Sequence, residues 1–253
     1  MFDKIYDKIY KKDNLKAFED IIQYYQDNGY CIVNFLYFYN LIHGGIFTES
    51  KDQTQQNYKK SLLNSDFLLP DGIAMQLLIK RWYKQEIQNL NGTDFLPFFL
   101  DKLEKDDLGV YFYGAFQKNI QKAKQYFEQK FGQKVNHFQN GYEHFDWDQI
   151  DDDSGMKILL VGKGSPIQEN RVFENIEIIR QKKLLVFCVG GLFDFWAGAE
   201  KRAPKLIRSL KLEWFWRVLQ NPAKNFKKSF FTMYYLVYFL LSSKFKTSGE
   251  KGR

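Results

Sequence analysis

Chemistry in this chain concentrates where glycine or proline sits beside a charged side chain. From Val186 to Arg217 the run VFCVGGLFDFWAGAEKRAPKLIRSLKLEWFWR leads from a short apolar stretch through Gly190 and Gly191 to Asp194, Arg202 and Arg217. Paired glycines let a backbone turn sharply or come close to a ligand, which a residue with a Cβ resists. Asp194 then follows at the carboxyl end of a predicted strand, the end at which open α/β sheets bind ligands. Pro70-Asp71-Gly72 is a second such place. Asp71 falls at the predicted start of a helix, whose amino-end field stabilises an ionised carboxylate and makes it available as a base. The same position suits a helix cap, and the residues alone leave both readings open. In Asn91-Gly92-Thr93-Asp94, Thr93 or Asp94 can serve as cap or ligand. In Gly162-Lys163-Gly164-Ser165-Pro166, Ser165 reads as a cap with Pro166 at the first helical position. A helix start of that kind favours an anion such as phosphate.

The elements that must hold these groups follow from hydrophobic periodicity. Helical spacing predicts helices over Asn14 to Asn28, Phe35 to Ile42, the later part of Thr48 to Lys60, a stretch beginning at Ile73, Gln117 to Phe131, and Gln168 to Arg180. Apolar runs predict strands over Tyr30 to Leu36, Asp66 to Leu69, Gly109 to Tyr113, Lys134 to Phe138, Met156 to Val161 and Leu184 to Val189. Asn34 is a polar residue inside one of those strands, so it either pairs with its neighbours or serves a site. Alternating strands and helices imply an α/β fold with a largely parallel sheet and helices on both faces. At 253 residues the expected organisation is a core over 1–198, a helical basic appendage over 199–246 and a disordered tail over 247–253.

Charge is distributed unevenly. The net charge is +7, yet residues 199–253 alone carry +10 and the first 198 carry −3. A basic C-terminal part points to an anionic partner: nucleic acid, phospholipid or a pyrophosphate-bearing substrate. The apolar run Phe230 to Leu241 has twelve residues, too few for a bilayer span of about 20. Flanked by Lys224, Lys227, Lys228, Lys244 and Lys246, it suits a helix lying among lipid headgroups, or alternatively a terminal helix docked on the core. Such an apolar run has no role on a phosphate backbone, which weighs against nucleic acid. Cys31 and Cys188 lie in apolar runs and read as buried thiols in a reducing compartment. The charged N-terminus lacks the apolar segment of a signal peptide. Asp146, Asp148 and Asp151 to Asp153 invite a metal reading, but clustered loop acids are more often a solvated face, and His43, His137 and His144 lack zinc-like spacing.

Taken in order, Pro70-Asp71-Gly72, Gly92-Thr93-Asp94, Gly164-Ser165-Pro166-Ile167-Gln168-Glu169, Gly190-Gly191-Leu192-Phe193-Asp194-Phe195, Gly198, Lys201-Arg202-Ala203-Pro204, Glu213-Trp214, Arg217 and Pro222 resemble the WecG/TagA/CpsF glycosyltransferase family. The resemblance runs from about Tyr30 to Lys228. It implies a Rossmann-like core with a membrane-binding appendage. It also implies an inverting transferase that moves a sugar from UDP to a polyprenyl-diphosphate-linked acceptor on the cytoplasmic membrane face, with no metal and no cofactor. Carried over residue by residue, Asp71 matches the proposed catalytic base. Asn34 matches the Asn of a Thr-x-Asn motif, Gln168 and Glu169 match a paired glutamine and glutamate, and Arg217 matches an appendage arginine reaching the diphosphate. Gly190, Gly191 and Asp194 would close the nucleotide crevice, with Asp94, Arg202 and Lys224 completing the substrate-binding set. Positive charge facing the departing UDP would stabilise it without metal.

The chain departs from that pattern at three places and in a longer segment between Asn34 and Asp71. Ile32 stands for the family's Thr, Asn89 for an arginine three residues before the Gly-x-Asp, and Lys224, Lys227 and Lys228 for appendage arginines. Lysines are point charges instead of bidentate forks. The reaction class is unaffected, while donor sugar, acceptor and any homo-oligomer are left open. The expected partners are a UDP-sugar, a lipid-linked glycan and an anionic membrane surface, with no nucleic acid.

Overall fold

The computed structural model describes residues 1–49, 51–104, 106–151, 155–204, 207, 213–220 and 222–242. Six parallel strands form its one sheet: β1 (Cys31–Tyr37), β2 (Phe67–Asp71), β3 (Leu108–Gly114), β4 (His137–Gln139), β5 (Met156–Gly162) and β6 (Leu184–Cys188), in the spatial order β2-β1-β6-β5-β3-β4. Among these, β3 and β6 are buried along their whole length, and β1 and β5 are buried except at one terminal residue. Parallel strands of this composition need cover on both faces, because neither side can be given to water.

Helices supply that cover. Side chains alternate across a strand, so Cys31, Val33 and Phe35 face one core and Ile32 and Leu36 face the other side. The first face packs on α2 (Asn14–Asn28), α6 (Gly92–Lys102), α7 (Gln117–Phe131) and α10 (Leu192–Trp196), through residues such as Ile21, Phe99, Phe127 and Phe193. The second face packs on α1 (Phe2–Lys8), α3 (Phe38–His43), α4 (Gln53–Leu63) and α5 (Ile73–Tyr83) over β1 and β2, and on α8 (Ile167–Glu174) and α9 (Ile176–Gln181) over β5 and β6. The α/β fold with helices on both faces is therefore as expected. Cys31 and Cys188 are buried free thiols on neighbouring strands, facing opposite cores, and burial pushes both thiols up.

Several boundaries differ from the periodicity reading. β1 continues to Tyr37, so α3 begins three residues later than Phe35. β2 runs through Pro70 to Asp71, which is tolerated because β2 is an edge strand. The predicted helix to Arg180 is two helices meeting at Asn175. Ser165 does not cap α8: its hydroxyl is given to the Glu169 carboxylate, and Pro166 takes the cap position. The cap of α6 is Asn91, whose Oδ1 accepts from Asp94 N and Thr93 Oγ1, instead of Thr93 or Asp94.

After Gly198 the chain reaches helix Glu213–Gln220, hooked to the loop before it by Gln220 Nε2 and Trp216 Nε1, which both donate to Lys201 O. The terminal helix Pro222–Leu241 follows. Its later half docks on the core: Leu236 and Phe239 are buried, Trp82 Nε1 donates to Phe239 O and Arg81 Nε to Leu240 O, each at 3.1 Å. Its other side exposes Phe226, Phe230, Tyr234, Val237 and Tyr238. Docking and an outward apolar face thus occur on one helix. Among the described residues no helix is long and apolar enough to cross a membrane. The tail 247–253 lies outside the described residues, as do Asp152 and Asp153.

At the β3/β5 rim the sheet depends on glycine. Gly114 pairs with Gly162 and has φ +143°, and a Cβ at Gly114 would lie 2.3 Å from Gly162 O. We expect Gly114→Ala to destabilise the fold by about 2–4 kcal/mol, because it combines backbone strain with a backbone clash that no rotamer relieves. A urea-denaturation midpoint unchanged from wild type would contradict this.

Candidate active site

Every strand of a parallel sheet delivers its carboxyl end to the same rim, and the site is built there. The connection from β3 goes outward to β4 while that from β5 returns toward β6, so the chain divides between β3 and β5. Ligands of open α/β sheets bind at such a division. The floor here is built on glycine: Gly141 lies against Gly114, Gly162 lies under Gly190 O and the Phe193 ring, and Ala115 N donates to Gly162 O. Around it stand Lys163, whose ammonium sits over the Tyr113 ring and donates to its hydroxyl at 2.8 Å, and an exposed stacked pair, Phe116 and Tyr142. Phe116 and Tyr142 carried no signal in the sequence, because an isolated aromatic in a loop has no periodicity.

Gly190 and Gly191 cross the rim directly after β6. Gly190 has φ +56°, a left-handed conformation that favours glycine, and a Cβ at either position would meet open space. The loop therefore presents bare backbone to the crevice. It is braced from behind by Gln168, whose Oε1 accepts from Gly190 N at 3.0 Å and whose Nε2 donates to Glu169 Oε1. On its far side Asp194 Oδ1 accepts from Asn119 Nδ2 at 2.7 Å, tying α10 to α7.

Gln168 and Glu169 are each only 2% exposed. They stand behind the loop instead of lining its open surface. Burial pushes the Glu169 carboxyl up from its ordinary range, and the donors Ser165 and Gln168 only partly offset this. Tyr58 is buried beside it. Asn34, halfway along β1, belongs to the same interior: its Nδ2 donates to Ser65 Oγ, while its Oδ1 and Glu169 Oε2 have no partner among the described residues. Asn34 and Cys188 pair in register, which places both orphan acceptors against the end of β6.

Asp71 is the last residue of β2, paired in register with Tyr37. The cap position of α5 falls on Gly72, φ +89°, so Asp71 stands one residue ahead of the cap. From β5 to β2 there are three strand spacings, so the glycine floor and Asp71 are about 14 Å apart along the rim. A cleft of about 220 Å³ lies among α6, α7 and α10, lined by Thr93, Asp94, Tyr126, Lys130, Trp196 and Arg202. Arg202 pairs with Asp94, and its Nη1 reaches Thr93 O. Arg217 and Lys224 lie on the two C-terminal helices, with side chains outside the described ones. Asp146, in the loop beyond β4, accepts from Asp148 N and Gln149 Nε2 as a turn cap, and among the described residues no group of His, Cys, Asp or Glu could hold a metal ion.

A glycine-lined division of a parallel sheet, with a carboxylate further along the same rim, defines an α/β protein with the ligand-binding edge of an open parallel sheet. The chain belongs to the WecG/TagA/CpsF family of glycosyl transferases, whose model matches residues 31–250. It is also 30% identical over 171 residues to an N-acetylglucosaminyldiphosphoundecaprenol N-acetyl-beta-D-mannosaminyltransferase of Bacillus spizizenii. That match covers 66% of this chain and 65% of the relative, just under two thirds of the relative's length.

A carboxyl with a native pKa above its ordinary 4.5 costs stability wherever it is ionised. Its contribution is complete below pH 4.5 and is lost as pH rises through the raised native value. The melting temperature of the wild type, relative to Glu169→Gln, should therefore fall as pH is raised through that window. A difference that does not change with pH would refute the assignment.

Proposed function

We propose that this chain is an inverting glycosyltransferase that moves a sugar from a UDP-sugar to a lipid-diphosphate-linked glycan at the cytoplasmic face of a membrane. The observation that carries the reading is the position of Asp71, on the rim that also bears the glycine floor, in a chain of this family. The nucleotide occupies the bare-backbone crevice at Gly114, Gly162 and Gly190, and the sugar extends along the rim toward β2. Asp71 takes the proton of the acceptor hydroxyl as that oxygen bonds to the anomeric carbon. The bond from that carbon to the diphosphate breaks on the opposite face, and UDP leaves with the electron pair. Single displacement of this kind inverts the anomeric centre.

The relative's acceptor, N-acetylglucosaminyl-diphosphoundecaprenol, is the acceptor class we assign to this chain. Residues 199–246 form the membrane-facing appendage in this reading, with the exposed aromatic face of Pro222–Leu241 among the headgroups and the flanking lysines on anionic lipid. In this reading Arg217 and Lys224 supply positive charge that stabilises the charge developing on UDP, leaving no need for a metal.

Purified protein given a panel of UDP-sugars and this acceptor should release UDP with one of them, at a rate unaffected by chelator. Asp71→Asn should lower that release roughly 10²–10⁴-fold; full activity would rule Asp71 out as base. Deleting residues after Gln220 should lower both binding to anionic liposomes and transfer. A truncated chain that still binds such liposomes would place the membrane contact elsewhere.

A further inference from the structure

The residue after Asp71 is held by a segment that has so far had no role. Asp71 ends β2, where only one side is paired, by Tyr37 of β1. On the other side Leu90 N donates to Pro70 O at 2.8 Å, and Gly72 N donates to Asn89 Oδ1 at 2.7 Å. Leu90 is buried in the first core with Phe35 and Phe95, and Asn91 caps α6, so Asn89 is fixed from its carboxyl side.

The bond to Gly72 matters because of what that peptide unit controls. Gly72 sits at φ +89°, and glycine imposes little preference of its own on that angle. The peptide plane between Asp71 and Gly72 can then turn only against its own hydrogen bonds. Turning it changes ψ of Asp71 together with φ of Gly72: the Cα–Cβ bond of Asp71 stays where β2 holds it, but the Asp71 carbonyl and Gly72 N–H dipoles next to the carboxylate swing round, and its electrostatic surroundings change with them. The amide oxygen of Asn89 is the acceptor that holds this plane. Arginine, which the family resemblance places here, has no acceptor atom and could not make this bond.

We propose that Asn89 is a positioning residue for Asp71, fixing through the Gly72 N–H the peptide dipole that lies next to the carboxylate. The inference rests on Asp71 being the base. The same segment continues through Asn91 and Thr93 to the Asp94–Arg202 pair, so it links the base's turn to the start of the appendage.

The test uses the full chain, the best UDP-sugar of the donor panel and the undecaprenyl-diphosphate acceptor. Asn89→Leu removes the acceptor and should lower kcat roughly 10–100-fold. The donor KM should stay within about twofold, because an interaction realised at the reacting centre is lost and not one that binds the nucleotide. Asn89→Asp keeps an acceptor oxygen and should recover most of kcat, with the acidic limb of its pH profile moved to higher pH by the second carboxylate. Equal losses in the two variants, or unchanged kcat in Asn89→Leu, would overturn the proposal. Should Asn89→Leu melt early, the limb in Asn89→Asp decides, and a limb at the wild-type position overturns it. Full activity in Asp71→Asn overturns the base assignment and the positioning role together. An inactive Asp71→Asn beside a fully active Asn89→Leu overturns the positioning role alone.

Discussion

A parallel sheet buried on both faces leaves its polar business to its two rims. The four central strands spend their length on apolar contact with helices, and Asn34 and Lys157 are the buried polar or charged exceptions within them. Because all six strands run the same way, their carboxyl ends collect on one rim. Asp71, Gly114, Gly162 and the Gly190 loop are neighbours for that reason, though nearly 120 residues separate the first from the last. Crevice, base and brace all depend on this one constraint.

What holds the rim in shape is a set of side-chain amides. Gln168 pins the Gly190 N–H, Asn89 pins the Gly72 N–H, Asn119 pins Asp194, and Asn91 caps α6. An amide suits this work because it is neutral, so it can fix a backbone group without the cost of burying a charge. Glu169 is the costly exception. Its carboxyl is buried behind the loop with one oxygen unpaired among the described residues, and it is the place where stability is given up for the arrangement of the site.

Much of the fold was legible because its signals are local. The boundaries of α2 and α7 follow directly from apolar spacing and a closing glycine, Gly29 and Gly132, both in left-handed conformations. Pro70-Asp71-Gly72 and Gly190-Gly191 announced backbone turns by composition. The misreadings share a physical cause: a competing partner distant in sequence. Periodicity alone stopped β2 short of Pro70, which edge placement beside β1 tolerates. Ser165 read as a cap until Glu169 claimed its hydroxyl. Asn89 stood out only as a departure from a family pattern, because its partner is a backbone N–H seventeen residues away.

By itself, the amino-acid sequence determined the alternation of strands and helices, the buried thiols, the basic C-terminal part and the residue types able to do chemistry. These are properties of composition and short-range spacing, and they persist whatever the chain packs against. Only the tertiary structure decided which of those residues meet. It put Gln168 and Glu169 behind a loop instead of on its surface, joined Asp94 to Arg202 across more than a hundred residues, and laid the terminal helix on Trp82 with its aromatic face outward. Strand order is the reason: it is set by the burial of whole sheet faces, a long-range balance that no short stretch of the chain encodes.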